Sequence, residues 1–160
     1  MSDALSPKPA IPWNAILLGG FIAATNDIVY ACISLAARAE KSVQWTLQSV
    51  AAGWLGEGSF TSGWPGAMLG LGSHYFILFV AAFIYWAASR RLAFLRSQAV
   101  ACGVLFGIGV YLFMNFVVVP LSAFPYHIKY TALKVLEGFA THGLFVGVPI
   151  ALCIRRFSPP

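Results

Sequence analysis

Residues 14–37 read NAILLGGFIAATNDIVYACISLAA, an apolar run interrupted by one carboxylate, Asp27. A helix needs about 20 such residues, at about 1.5 Å each, to cross the hydrocarbon core of a bilayer. The run therefore reads as a membrane span. A carboxylate near the middle of a span costs about 2.5–3.5 kcal/mol on insertion scales, so Asp27 should face the inside of a helix bundle and find partners there.

Working outward, three more runs are long enough to span, at residues 66–88, 98–120 and 131–154. The composition of the 160-residue chain agrees: 59% hydrophobic, 15% aromatic and 9% charged, with a mean hydropathy of +0.79. A soluble domain of this size needs a more polar surface. The expected fold is all-α, a single transmembrane domain of four helices. The net charge of +5 is scattered between apolar runs and makes no nucleic-acid patch. It acts as a topology signal instead. Lys8, Arg90, Arg91, Arg96, Arg155 and Arg156 fall on the side of both termini, whereas Arg38, Lys41, Lys129 and Lys134 are offset by Glu40, Glu57 and Glu137. The positive-inside rule then puts both termini in the cytoplasm.

Residues 1–13, with Lys8 and three prolines, read as a disordered cytoplasmic tail ending at an interfacial Trp13. The apolar run after it is too long for a signal peptide. In the first outer connection Val43, Leu47, Val50, Ala51, Trp54 and Leu55 recur at helical spacing, with Ser42, Thr46, Gln48 and Ser49 off that face. That pattern predicts an external amphipathic helix on the membrane surface or capping the bundle. Cys32, Cys102 and Cys153 lie within apolar runs and read as buried free thiols.

Each span carries small residues four apart: Gly20 and Ala24, Gly66 and Gly70, Gly103 and Gly107, Gly143 and Gly147. Such notches let backbones approach where apolar burial gains little. The polar residues share those faces, Asp27 with Gly20 and Ala24, His74 with Gly70, Tyr111 and Asn115 with Gly103 and Gly107, and His142 with Gly138. Counted from the terminal side at about 1.5 Å per residue, Asp27 lies about 17 Å deep, His142 about 18 Å, His74 about 20 Å, Asn115 about 24 Å and Glu137 about 26 Å. The expectation is an intramembrane polar centre of Asp27, His74, Asn115 and His142, with Asn26 and Tyr111 beside it.

Several chemistries suit that centre. A carboxylate and an imidazole can share a proton, which suits a small proton-coupled transporter or a channel-like protein. The same groups also suit a hydrogen-bonded cluster that only fixes helix register, in a scaffold or accessory subunit of a membrane complex. Two histidines on different helices also allow ligation of haem b, with Phe76, Phe79 and Tyr111 around the ring, or a quinone redox role. A metal held by His74, His142 and Asp27 has acceptable donors without a diagnostic spacing. Glu57 and Glu137 are candidates for an outer entrance, and Lys134 and Glu137 for an interfacial ion pair. His127 falls in a solvated loop, and Pro149 removes the helical donor for the Phe145 carbonyl. No nucleophile elbow, phosphate loop or zinc-protease motif occurs, so no catalytic residue is assigned. The expected partners are the lipid bilayer and a homo-oligomer or larger membrane complex, with no nucleic acid.

Ser73-His74-Tyr75-Phe76 at the second span, Glu137-Gly138 with His142 in the last, and the terminal Arg155-Arg156 resemble the YagU-like group of small bacterial inner-membrane proteins. The resemblance covers roughly the last two-thirds of the chain. It implies a bacterial inner membrane and carries over no catalytic residue.

Overall fold

A computed structural model describes residues 11–157. Four of its helices are long and apolar enough to cross a membrane: α1, Trp13–Ala39; α3, Gly63–Ser89; α5, Ala99–Leu121; and α6, Ala132–Phe157. Between them lie α2, Val43–Leu55, and a single turn, α4, Phe94–Ser97. The long helices alternate in direction. We call the end bearing α4 the terminal end and the other the α2 end. Residues 1–10 of the expected tail lie outside the described residues; Trp13 opens α1 and stacks on Phe83, with ring centroids 6.2 Å apart.

Glycine notches set the packing. On α5 and α6 they face one another: a Cβ at Gly103 would lie 2.9 Å from the Gly147 carbonyl oxygen, and one at Gly107 would run into the carbonyl of His142. On α1, a Cβ at Gly19 would meet Ile150 and Cys153 of α6 at 3.1–3.3 Å, while Gly20 admits Phe79 of α3. Small residues thus let the backbones close on both sides of α1 and along α5–α6, where dispersion contacts accumulate. The core that results contains Ala15, Ile16, Ala23, Ala24, Leu78, Ala82, Tyr85, Val146, Ile150 and Ile154.

The two notches of α3 behave differently from the others: Gly66 faces Ser62 and the Ser59 carbonyl of the preceding connection, and Gly70 faces α2. Gly70 receives the Leu47 carbonyl, not a neighbouring span. Ser42 caps α2 by accepting the Trp45 N–H at 3.1 Å, and a 3-10 turn at Gly56–Thr61 leads into α3. The burial of α2 follows its expected apolar face only in part: Leu47 and Ala51 are buried, but so are Thr46 and Gln48, at 2% and 4% exposed, while Val43, Trp54 and Leu55 are exposed. Backbone chemistry explains the two buried polar residues. Gln48 donates to the Gly63 carbonyl at 2.9 Å, and its own carbonyl accepts the fully buried Ser59 hydroxyl at 2.6 Å. Buried polar side chains on α2 and in the turn are thus satisfied by carbonyls across the connection.

Both α5 and α6 contain a π-helical turn, at Met114–Val118 and His142–Gly147. Each ends on an N–H that reaches back five residues, Val119 to Met114 and Val148 to Gly143. A proline stands one position beyond each, Pro120 and Pro149. A proline has no N–H and its ring crowds the carbonyl four residues back, so a widened turn relieves both problems.

The three cysteines are free thiols, Cys102 and Cys153 buried and Cys32 half-buried. Helices α3 and α5 do not form a packed pair along their lengths. At the terminal end Tyr85 meets Phe106 edge-on at 5.0 Å, and the Tyr85 hydroxyl donates to the Leu95 carbonyl at 2.8 Å. Toward the α2 end the two helices leave a gap between them.

Candidate functional site

That gap is a cleft of about 820 Å³. Ile77 and Leu78 of α3 form one wall and Val110, Phe113 and Val117 of α5 the other, with Val146 of α6 at the floor. Gly53 and Trp54 of α2 and the segment from Ser122 to Phe124 close it over. The roof is tied by a hydrogen bond from the Ala123 N–H to the Gly53 carbonyl, 3.0 Å. Asp27, His74 and His142 reach the cleft from α1, α3 and α6.

The three groups converge on one carboxylate. His74 Nε2 lies 3.9 Å from Asp27 Oδ2, and His142 Nε2 lies 4.0 Å from Asp27 Oδ1. Their side chains are 10%, 22% and 17% exposed for His74, His142 and Asp27. These separations exceed a direct hydrogen bond yet keep the groups in strong electrostatic contact in a low-dielectric interior.

The backbone assigns the protons. His74 Nε2 is 3.0 Å from the Ala24 carbonyl, which can only accept, so that nitrogen carries hydrogen. His142 Nδ1 is 3.1 Å from the Gly138 carbonyl and therefore carries hydrogen too. A neutral His142 consequently turns the lone pair of Nε2 toward Asp27. Two acceptors then face each other across 4.0 Å, an arrangement that an added proton or another donor would relieve.

Glycines place these rings. Gly107 lets α5 approach the His142 carbonyl, and Gly138 lets the Tyr111 ring lie against α6, where Tyr111 meets His142 edge-on at 5.1 Å. The π-helical turn begins at His142 itself. Thr141 is spent on its own helix, donating to the Glu137 carbonyl at 2.9 Å. On α1, Thr25 donates to the Phe21 carbonyl and contacts the Tyr75 hydroxyl, both at 2.8 Å.

Other candidates sit elsewhere. Asn115 is not at the centre: its amide donates to the Tyr111 carbonyl at 2.9 Å, and Tyr130 reaches its backbone and side-chain oxygens at 3.1 and 3.4 Å. Asn26 is exposed on the other side of α1. Glu137 does not pair with Lys134. It accepts the Tyr30 hydroxyl and pairs with Arg38 at 2.5 Å, linking α6 to the end of α1. Glu57 and His127 are exposed, away from the cleft lining.

Two cofactor chemistries fit poorly. For bis-histidine ligation His74, with Nε2 committed to the Ala24 carbonyl, would have to ligate through Nδ1, and the Asp27 carboxylate lies against Nε2 of both rings. Among the described residues, no group of three or more His, Cys, Asp and Glu side chains has the geometry to hold a metal ion. Comparisons with protein-family models, curated proteins and solved structures return no match for this chain.

Proposed function

We propose that this chain is a small proton-coupled transporter of the bacterial inner membrane, with both termini in the cytoplasm and Asp27 and His142 as its proton-sharing pair. The observation that carries the reading is the 4.0 Å approach of Asp27 Oδ1 to His142 Nε2 at the base of a cleft. A carboxylate and an imidazole at that distance exchange one proton with little rearrangement, and the cleft supplies room for a solute. The orientation rests on charge. Arg90, Arg91, Arg155 and Arg156 are exposed at the terminal end, whereas Arg38 at the α2 end is paired with Glu137. In this orientation α2 is the outer helix, with Trp54 and Leu55 at the lipid interface and its polar side chains inward.

The test is proton flux. Liposomes holding the purified protein and an internal pH dye should dissipate an imposed pH gradient faster than protein-free vesicles, and Asp27→Asn should abolish the difference. Equal flux from wild type and Asp27→Asn would overturn the reading.

A further inference from the structure

The hydrogen inventory at the base of the cleft selects a class of ligand, an inference that rests on the proton-coupled reading above. His142 spends Nδ1–H on the Gly138 carbonyl and His74 directs Nε2–H to the Ala24 carbonyl. What remains facing the cleft from Asp27 and His142 is acceptor only: carboxylate oxygens and one imidazole lone pair. Among the described residues lining the cleft, Asp27 is the one carboxyl group, and no lysine or arginine lines it. The walls are apolar, with Ile77, Phe113 and Val117 among them. The volume, about 820 Å³, lies within the range of roughly 300–1,000 Å³ typical of sites for drug-sized molecules.

An anion would meet the Asp27 carboxylate in a medium of low dielectric and be repelled. A neutral apolar molecule would leave the acceptors without a donor. A protonated amine satisfies both demands, since its N–H bonds to an ionised acceptor are charge-assisted and its hydrocarbon part suits the walls. We propose that the cleft binds a hydrophobic amine as its ammonium ion, with N–H donated to Asp27 and His142 and the apolar body lying between α3 and α5. The ammonium ion and a proton then compete for one carboxylate. The titratable groups facing Asp27 are His74 from α3 and His142 from α6, with Tyr111 of α5 behind His142. The α2 side chains in the lining, among them Ser49 and Trp54, add no charge. Without a ligand the pair holds one proton between the Asp27 carboxylate and His142 Nε2; when the ammonium ion takes its place that proton leaves to solvent, and charge balances one for one.

The experiment is calorimetric titration of the detergent-solubilised full chain with 4-butylbenzylamine and with 4-butylbenzyl alcohol, each in buffers of different ionisation enthalpy. The amine should bind saturably with buffer-dependent proton release, and the alcohol at least about tenfold more weakly. Asp27→Asn should remove the amine preference and the proton release. Val117→Trp narrows the cleft without touching the polar base and should weaken the amine as well, so the test does not depend on one variant folding. An alcohol that binds as tightly as the amine, or an amine affinity unchanged in either variant, overturns the proposal. If the amine does not bind while Asp27-dependent proton flux persists in liposomes, the ligand class is wrong and the proton-sharing pair stands. Flux independent of Asp27 removes the reading beneath both.

Discussion

His142 points Nε2 at Asp27 Oδ1 across 4.0 Å while its other ring nitrogen is fixed on the Gly138 carbonyl one turn earlier. The ring cannot reverse its nitrogens without breaking that bond, so Nε2 is the nitrogen available for the proposed proton exchange with Asp27. In His142→Gln the side chain no longer titrates, and proton flux in liposomes should fall toward the protein-free rate. His74→Gln keeps an N–H donor for the Ala24 carbonyl and should retain more flux than His142→Gln. The reverse order would show that His74 is the exchanging partner.

The widened turn of α6 places that ring. Pro149→Ala restores an N–H two residues beyond the π-helical turn at His142–Gly147. An α-helical ladder then becomes available there, and removing the extra residue of a π turn rotates the preceding helix by about 100°, one residue of a 3.6-residue turn. His142 would swing away from Asp27. The expected outcome is a protein as helical as wild type by circular dichroism, with proton flux lost. Unchanged flux would separate the turn from function.

The contact between α5 and α6 leaves no space for a side chain. In Gly147→Ala the new Cβ would strike the Gly103 carbonyl and lie 2.6 Å from the Gly107 nitrogen. Overpacking of this kind costs about 1–3 kcal/mol, which for a chain of this length lowers the melting temperature by about 2–4 °C per kcal/mol. Gly109→Ala is the control, because a Cβ there meets nothing within 4 Å, and the helix gains about 0.8–1 kcal/mol of propensity. Thermal unfolding in detergent should move in opposite directions for the two variants.

Glu137 holds the α2 ends of α1 and α6 together through Tyr30 and Arg38. The Arg38 side chain is 62% exposed and that of Glu137 22%, so solvent screening weakens the ion pair. The Tyr30 hydroxyl bond is the more sheltered of the two. Tyr30→Phe and Glu137→Ala should therefore lower the melting temperature more than Arg38→Ala does, and added salt should narrow the gap between Arg38→Ala and wild type.

Hydropathy alone places the four long helices, because a run of about 20 apolar residues has few alternatives to spanning. Expected starts at residues 14, 66, 98 and 131 compare with Trp13, Gly63, Ala99 and Ala132. Counting depth puts Asp27, His74 and His142 at one level, and the structure has them within 4.0 Å of one carboxylate. Asn115 shows the limit of such counting. It shares the glycine face of α5 but lies nearer the α2 end, where Tyr130, fifteen residues on in sequence, occupies its oxygen. The Arg38–Glu137 pair joins residues ninety-nine apart, and local spacing favoured Lys134 because a sequence displays only near neighbours. The burial of α2 mixes the two expected faces for a different reason. Thr46 and Gln48 are buried beside Leu47 and Ala51 because polar side chains bind carbonyls across the α2–α3 connection, Gln48 that of Gly63 and Ser59 that of Gln48. The π-helical turns leave only Pro120 and Pro149 as a signal, and a proline by itself does not say whether a helix kinks, widens or stops.

The edge-on contact of Tyr85 with Phe106 gives the molecule its asymmetry. One end of the α3–α5 gap is latched by two rings, and the other is covered by a short helix and a loop joined at Gly53 and Ala123. A solute crossing the full thickness would meet two unlike doors, one that opens by ring rotation and one that opens by moving backbone. The first is local to a pair of side chains. On the proposed transport reading, the second would need a whole segment to lift.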